Sequence, residues 1–250
     1  MILVSADCAT IFQVKIMSNE LILILNLIFL YSCVIIFFYL FENIGLYVWS
    51  AIATILANIE VLIIVNAFGM RQTLGNILFA TTFLVTDILS ETYGKKFAQR
   101  AVDIGIISSL VFIFISQSWL FYKPDTNDFA AAHMKIIFSN TPRLIIASFI
   151  VYIIVQKFDV WLYHKLWEIT SKISGDSKKY LWLRNNFATL VSQFLNVFLY
   201  TFTAFYGIYN LSIIWELIFS SYVIFIFTSL LDTPILYFAR KIYFCKHFNS

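Results

Sequence analysis

Charge is scarce in this chain. Only 12% of its 250 residues are Asp, Glu, Lys or Arg, while 61% are apolar, and a water-soluble domain carries about twice that charge. The mean hydropathy is +0.85. Cysteine is nearly missing as well. Cys8, Cys33 and Cys245 form no CxxC or other metal spacing, which excludes a disulfide framework or a thiolate metal centre. The three histidines, His133, His164 and His247, are scattered, with no HExxH. With seven glycines there is no Walker-type phosphate loop and no GxSxG elbow, so neither ATP hydrolysis by that route nor a serine hydrolase is indicated. No cofactor and no metal are expected. The net charge of +3 comes from basic residues in short loops rather than on one recognition face, so no nucleic-acid partner is expected either.

What remains is apolar length. Stretches near 20 residues recur along the whole chain, each long enough to cross a bilayer as a helix. A β-barrel would show strict alternation in shorter segments, and none is present. The fold class is therefore all-α, a polytopic membrane bundle of six to seven helices in contact with the lipid bilayer. The spans read as Leu21 to Leu40, Leu46 to Phe68, Leu74 to Ser90, Val102 to Tyr122, Arg143 to Trp161 with a continuation to Leu166, Leu181 to Tyr206, and Leu211 to Tyr237. They form a single domain over 1–250, in which 1–45 is an N-terminal tail plus an extra helix and 46–242 is the core. Leu30-Tyr31-Ser32-Cys33 faintly resembles a lipoprotein signal, but the apolar run continues through Leu40, so the first span is read as uncut.

Positive charge orients the bundle. One side receives Lys95, Lys96 and Arg100, then Lys165, Lys172, Lys178 and Lys179, then Arg240, Lys241 and Lys246; the other receives Lys15, Arg71, Lys123 and Lys135. The richer side is expected to be cytoplasmic. This places the C-terminus inside and the N-terminus outside.

Polar residues inside the spans carry the functional signal. A carboxylate at a helix centre costs about 2.5 to 3.5 kcal/mol on insertion scales. Asp87 and Glu91 nevertheless stand four apart on one helical face, in TDILSETYGKK from Thr86 to Lys96. Asn58 and Glu60 lie in the second span, Gln156 and Asp159 three apart in the fifth, and Thr189, Gln193 and Asn196 at helical spacing in the sixth. Asp232 precedes Thr233 and Pro234 in the seventh, where a proline removes a helix hydrogen bond and frees a carbonyl. Blander readings stand beside these. Glu91 has Lys95 at i+4, Asp159 has Lys157 and Lys165 nearby, Glu60 has Arg143 as a partner candidate, and Arg71 and Arg184 read as span boundaries. Five spans offering polar groups point to one central cavity.

Four ordered blocks resemble a known family. LFATTFLVTDILSETYGKKFAQRAVDIG, from Leu78 to Gly105, is similar to the signature of the queuosine precursor transporters, also called the vitamin uptake transporter family. ASFIVYIIVQKFDVWLYHKL (Ala147 to Leu166), LRNNFATLVSQFLNVFLYTFTAFYG (Leu183 to Gly207) and LLDTP (Leu230 to Pro234) resemble its later segments. The resemblance runs from about Val48 to Ile242, and departs where the family often has Asp and this chain has Asn196. It implies a non-enzymatic importer of 7-deazaguanine bases, the small-molecule precursors of tRNA queuosine. A carboxylate accepts both donors of a guanine-like edge, so Asp87 or Glu91 is the expected reader, with Gln156, Gln193 and Asn196 assisting and Asp159 and Asp232 shaping or gating the cavity. Asn58, Glu60, Thr86 and Pro234 are candidates for coupling or gating. Proton coupling through Glu60 or one of the Asp87/Glu91 pair, facilitated diffusion, and a substrate-binding subunit of a multi-chain vitamin uptake system all stay open, as does a homo-oligomer. The competing class is an intramembrane enzyme acting on a lipid or isoprenoid, with Asp87 and Glu91 binding Mg²⁺ and a diphosphate.

Overall fold

The computed structural model describes residues 18–139, 142–176 and 179–248. Cys8, Lys15, Lys178 and the Arg143 side chain lie outside the described residues, and with them the Glu60–Arg143 pairing. Among the described residues the elements run α1 (Asn19–Glu60), β1 (Ile64–Ala67), β2 (Met70–Thr73), α2 (Gly75–Thr92), α3 (Lys95–Trp119), α4 (Ala131–Ser139), α5 (Pro142–Ser174), α6 (Leu181–Phe205) and α7 (Leu211–Phe248). Five of these, α1, α3, α5, α6 and α7, are long and apolar enough to cross a membrane. The chain is an all-α multi-pass bundle with one small hairpin.

α1 contains two spans. Its helix is broken at Glu42, whose φ of 54° and ψ of −134° are not helical, so arms 19–41 and 43–60 fold back on each other. Gly45 permits the turn, since a Cβ there would collide with the Phe37 backbone carbonyl. Phe37 meets the Trp49 ring at 5.6 Å across the two arms. At the far end the Asn19 side chain donates to the Asn66 carbonyl at 2.8 Å, and the Phe68 N–H donates to Glu20 at 3.0 Å. The Ser18 hydroxyl caps the first arm by accepting from the Leu21 N–H.

The second span ends earlier than the hydropathy suggests. It stops at Glu60, and residues the sequence reading assigned to it form β1, paired antiparallel with β2 from Ile64↔Thr73 to Ala67↔Met70. Phe68 and Gly69 both have positive φ, the signature of a tight two-residue hairpin turn. The β-branched run before Asn66 is as apolar as a span, so hydropathy alone does not separate the two. Glu60 is thereby moved from mid-span to the end of a helix, half-buried. α4 was also not expected. Asp128 accepts from the Ala130 and Ala131 N–H groups at its start, and Phe138 packs on Phe112 and Trp119 of α3.

α2 is the central helix. It is buried almost throughout from Gly75 to Ser90 and packs against α1, α3, α5 and α7. Leu84, Ile88 and Leu89 meet Leu46 and Ala53 of α1 and Ala98, Ala101 and Val102 of α3 in one apolar core. The outer faces are apolar too, with Phe29, Ile107, Phe114, Ile146, Phe219 and Phe227 exposed, the surface a lipid-embedded bundle presents. The alternating helices bring the Lys95, Lys165, Lys179 and Arg240 regions to one end, called here the basic end. The β-hairpin marks the other.

Candidate functional site

Helical spacing lays polar side chains along the inner faces of α2, α5 and α6. Tyr152, Gln156, Asp159 and Tyr163 form one stripe on α5, and Arg184, Thr189, Gln193 and Asn196 run along α6. Asp87 on α2, Asp159 on α5 and Asp232 on α7 are all buried, at most 1% exposed. They lie within one another's electrostatic reach.

The three aspartates have few partners. The Thr189 hydroxyl donates to Asp87 Oδ2 at 3.3 Å, and the Tyr31 hydroxyl donates to Asp232 Oδ1. Among the described residues, Asp87 Oδ1 and Asp232 Oδ2 are buried with no hydrogen-bond donor, and Asp159 has the Ser192 hydroxyl alone beside it. Around them Gln156 donates to the Thr82 hydroxyl at 2.6 Å and leaves its Oε1 unpartnered. Gln193 accepts from Asn196 at 3.2 Å and leaves its Nε2 unpartnered. Ser192 sits beside Asp159, its hydroxyl placed to donate to that carboxylate. Buried polar groups are almost always satisfied, so a concentration of vacant ones at the heart of a bundle marks a place for a ligand.

Glu91, one turn nearer the basic end, is different. Arg184 holds its Oε1 through both Nε, at 2.6 Å, and Nη2. Tyr163 donates to the same oxygen at 2.7 Å, and Arg240 stands 3.7 Å from Oε2. Arg184 is itself fully buried, donates to the Lys179 carbonyl at 2.8 Å, and lies 4.4 Å over the Trp167 ring. This network ties α2, α5, α6 and α7 together at the basic end. The alternative of a Glu91–Lys95 surface pair gives way to it, and Arg184 is a buried residue rather than a mere span boundary. Asp159 does not pair with Lys157 or Lys165, which reach the exposed Asp103 and Glu168 instead.

A narrow cleft of about 60 Å³ opens between α1, α2, α3, α5 and α6 on the hairpin side, room for several waters. Asn58, Asn76, Ser109 and Asn196 line it together with Phe79, Tyr152 and Tyr200. Asn58 is held there by donating to Ser109 at 2.9 Å and to the Thr54 carbonyl at 2.7 Å. Asn196 lines this cleft and donates to Gln193, which stands one turn along α6 from the Thr189 that donates to Asp87.

Two further candidates stand apart. Thr86 turns its hydroxyl back onto the Phe83 carbonyl, 2.8 Å away, rather than toward the aspartates. Pro234 lines an apolar groove between α1 and α7, with Ile28, Tyr31 and Phe238. The residues that sequence reasoning passed over are Tyr31, Tyr163, Arg184 and Ser192. Tyr31 sat inside a segment weighed as a processing signal. A buried Arg at a span start facing a Glu at a span end was the available clue to Arg184.

Residues 73–239 match the model of the family described as "Putative vitamin uptake transporter". The chain is 36% identical over 208 residues to a Bacillus subtilis (strain 168) protein named "Probable queuosine precursor transporter", covering 83% of this chain and 89% of that one. No solved structure matches.

Proposed function

Because this chain belongs to the vitamin uptake transporter family, we propose that it carries a queuosine precursor, a 7-deazaguanine base, through a bacterial inner membrane into the cytoplasm. It does so by binding and release, without covalent chemistry. The cargo assignment is carried by the relative's printed name. The site assignment is carried by one physical observation, the vacant polar atoms among Asp87, Asp159, Asp232, Gln156 and Gln193.

The base enters from the hairpin end through the cleft. Phe79, Tyr152 and Tyr200 offer faces for a planar ring there. Asn196 passes it to Gln193. Asp87 then reads the guanine-like edge, its two oxygens accepting the ring N–H and the exocyclic amine. Gln156 accepts and Gln193 donates at the remaining edge positions. Glu91 takes no part in reading the cargo, since Arg184, Tyr163 and Arg240 already occupy it; it closes the basic end. That end faces the cytoplasm by the positive-inside bias, so the C-terminus lies inside.

Expression in a bacterium lacking both precursor synthesis and its own importer tests this. Each deazaguanine base is fed at low concentration and queuosine is measured in tRNA. Restoration by at least one base is expected. No restoration with the chain present in the membrane contradicts the reading.

A further inference from the structure

One outer face breaks the apolar rule of the others. Asp103 on α3 and Lys157 on α5 stand 3.8 Å apart, their side chains 59% and 60% exposed. Each lies eight positions inward from a lysine of the basic end, Asp103 from Lys95 and Lys157 from Lys165. That is about 12 Å along a helix. The hydrocarbon core is about 30 Å thick, so both charges reach well into it. A lysine stem can carry its ammonium back toward water, but an aspartate has no such stem. Ionisable side chains at this depth almost always face a protein interior or a water-filled cavity. The pair is loose and open to the outside, so it adds little to the folding of one chain. A groove of about 310 Å³ runs beside it, lined also by Gln99, Val102 and Val160. Arg100, the next cation along α3, bonds Tyr47 of α1 instead.

We infer that a second copy of the chain docks on this face, side by side in the same orientation, across a two-fold axis along the membrane normal. Such an axis keeps every residue at its own depth and sets α3 of one copy against α5 of the other. Asp103 then meets Lys157 of the second copy, and Lys157 meets its Asp103. The charges alternate in sign around the axis, each with one opposite neighbour in its own chain and one in the other. A patch carrying both signs at one depth complements itself in this way, whereas a patch of one sign repels its copy. The flanks obey the same operation. Ile107 and Ile154, one turn further from the basic end, are exposed and meet across the axis. Gln99 and Trp161, one turn nearer the basic end, are exposed too and do the same. The inference stands on the outer face of α3 and α5 and goes beyond the transport reading, whatever the cargo.

Energy transfer between donor- and acceptor-tagged copies in lipid vesicles tests it. The unaltered chain is expected to show more transfer than a monomeric membrane protein at the same dilution in lipid. Asp103→Lys leaves only cations around the axis, and Lys157→Asp leaves only anions. Each variant alone is expected to self-associate at least about tenfold more weakly. Mixed together, the two variants are expected to recover association, because each brings the sign that the other lacks. A pair acting within one chain cannot give that rescue. Transfer in the unaltered chain no greater than in the monomeric control overturns the inference and leaves the groove to lipid headgroups. Undiminished self-association of both charge variants overturns it as well. The first comparison uses the unaltered chain, so it needs no variant to fold.

Discussion

Asp87 and Glu91 sit one turn apart on the same helix and face the same interior, yet they live in opposite circumstances. Glu91 is met by two arginines and a tyrosine. Asp87 has one threonine hydroxyl, at 3.3 Å, and two further aspartates within electrostatic reach. Both carboxylates cost several kcal/mol to bring out of water. Glu91 recovers that cost inside the protein and so holds four helices together. Asp87, Asp159 and Asp232 do not, and on the proposed reading their compensation comes from the cargo. Pairing, more than burial, separates these carboxylates from one another.

The largest effect falls on the paired side. Arg184→Met leaves Glu91 with the Tyr163 hydroxyl and the more distant Arg240 and is expected to cost about 3 to 5 kcal/mol, read as loss of folded protein in detergent thermal melts. Adding Glu91→Met to it is expected to restore most of that loss, because two apolar side chains replace a buried pair at little net cost. A double variant as unstable as the single one would break the comparison. Thr189→Val removes the one donor to Asp87 and is expected to cost only about 0.6 kcal/mol, while uptake falls because Asp87 loses its orientation. Lys157→Ala deletes an exposed ion pair with Asp103; its effect on melting is expected to be about zero to 0.5 kcal/mol, which calibrates the interior changes.

The spans were legible because a bilayer demands about 20 apolar residues of every crossing helix, and the inward placement of Asp87, Gln156, Asp159, Gln193 and Asp232 was legible because polar residues in such runs avoid lipid. The β-hairpin was not, since Ile64 to Ala67 continues the apolar run and only the paired positive φ at Phe68 and Gly69 distinguishes a turn from a span. The division of labour between Asp87 and Glu91 was hidden for another reason. Local sequence offers Lys95 as Glu91's partner, while the actual one, Arg184, is 93 positions away. Such a partner is visible only once α2 and α6 are packed. Tyr31 is more remote still, 201 positions from the Asp232 it bonds.

The most direct test is Asp159→Asn, followed in parallel by thermal melting in detergent and by uptake in cells. A vacant carboxylate kept for a ligand is replaced by a neutral amide of the same shape. The account requires a melting temperature equal to or above that of the unaltered chain, together with loss of uptake. A melting temperature lowered by several degrees, with uptake per folded molecule unchanged, would show that Asp159 is a structural residue like Glu91 and would contradict the account.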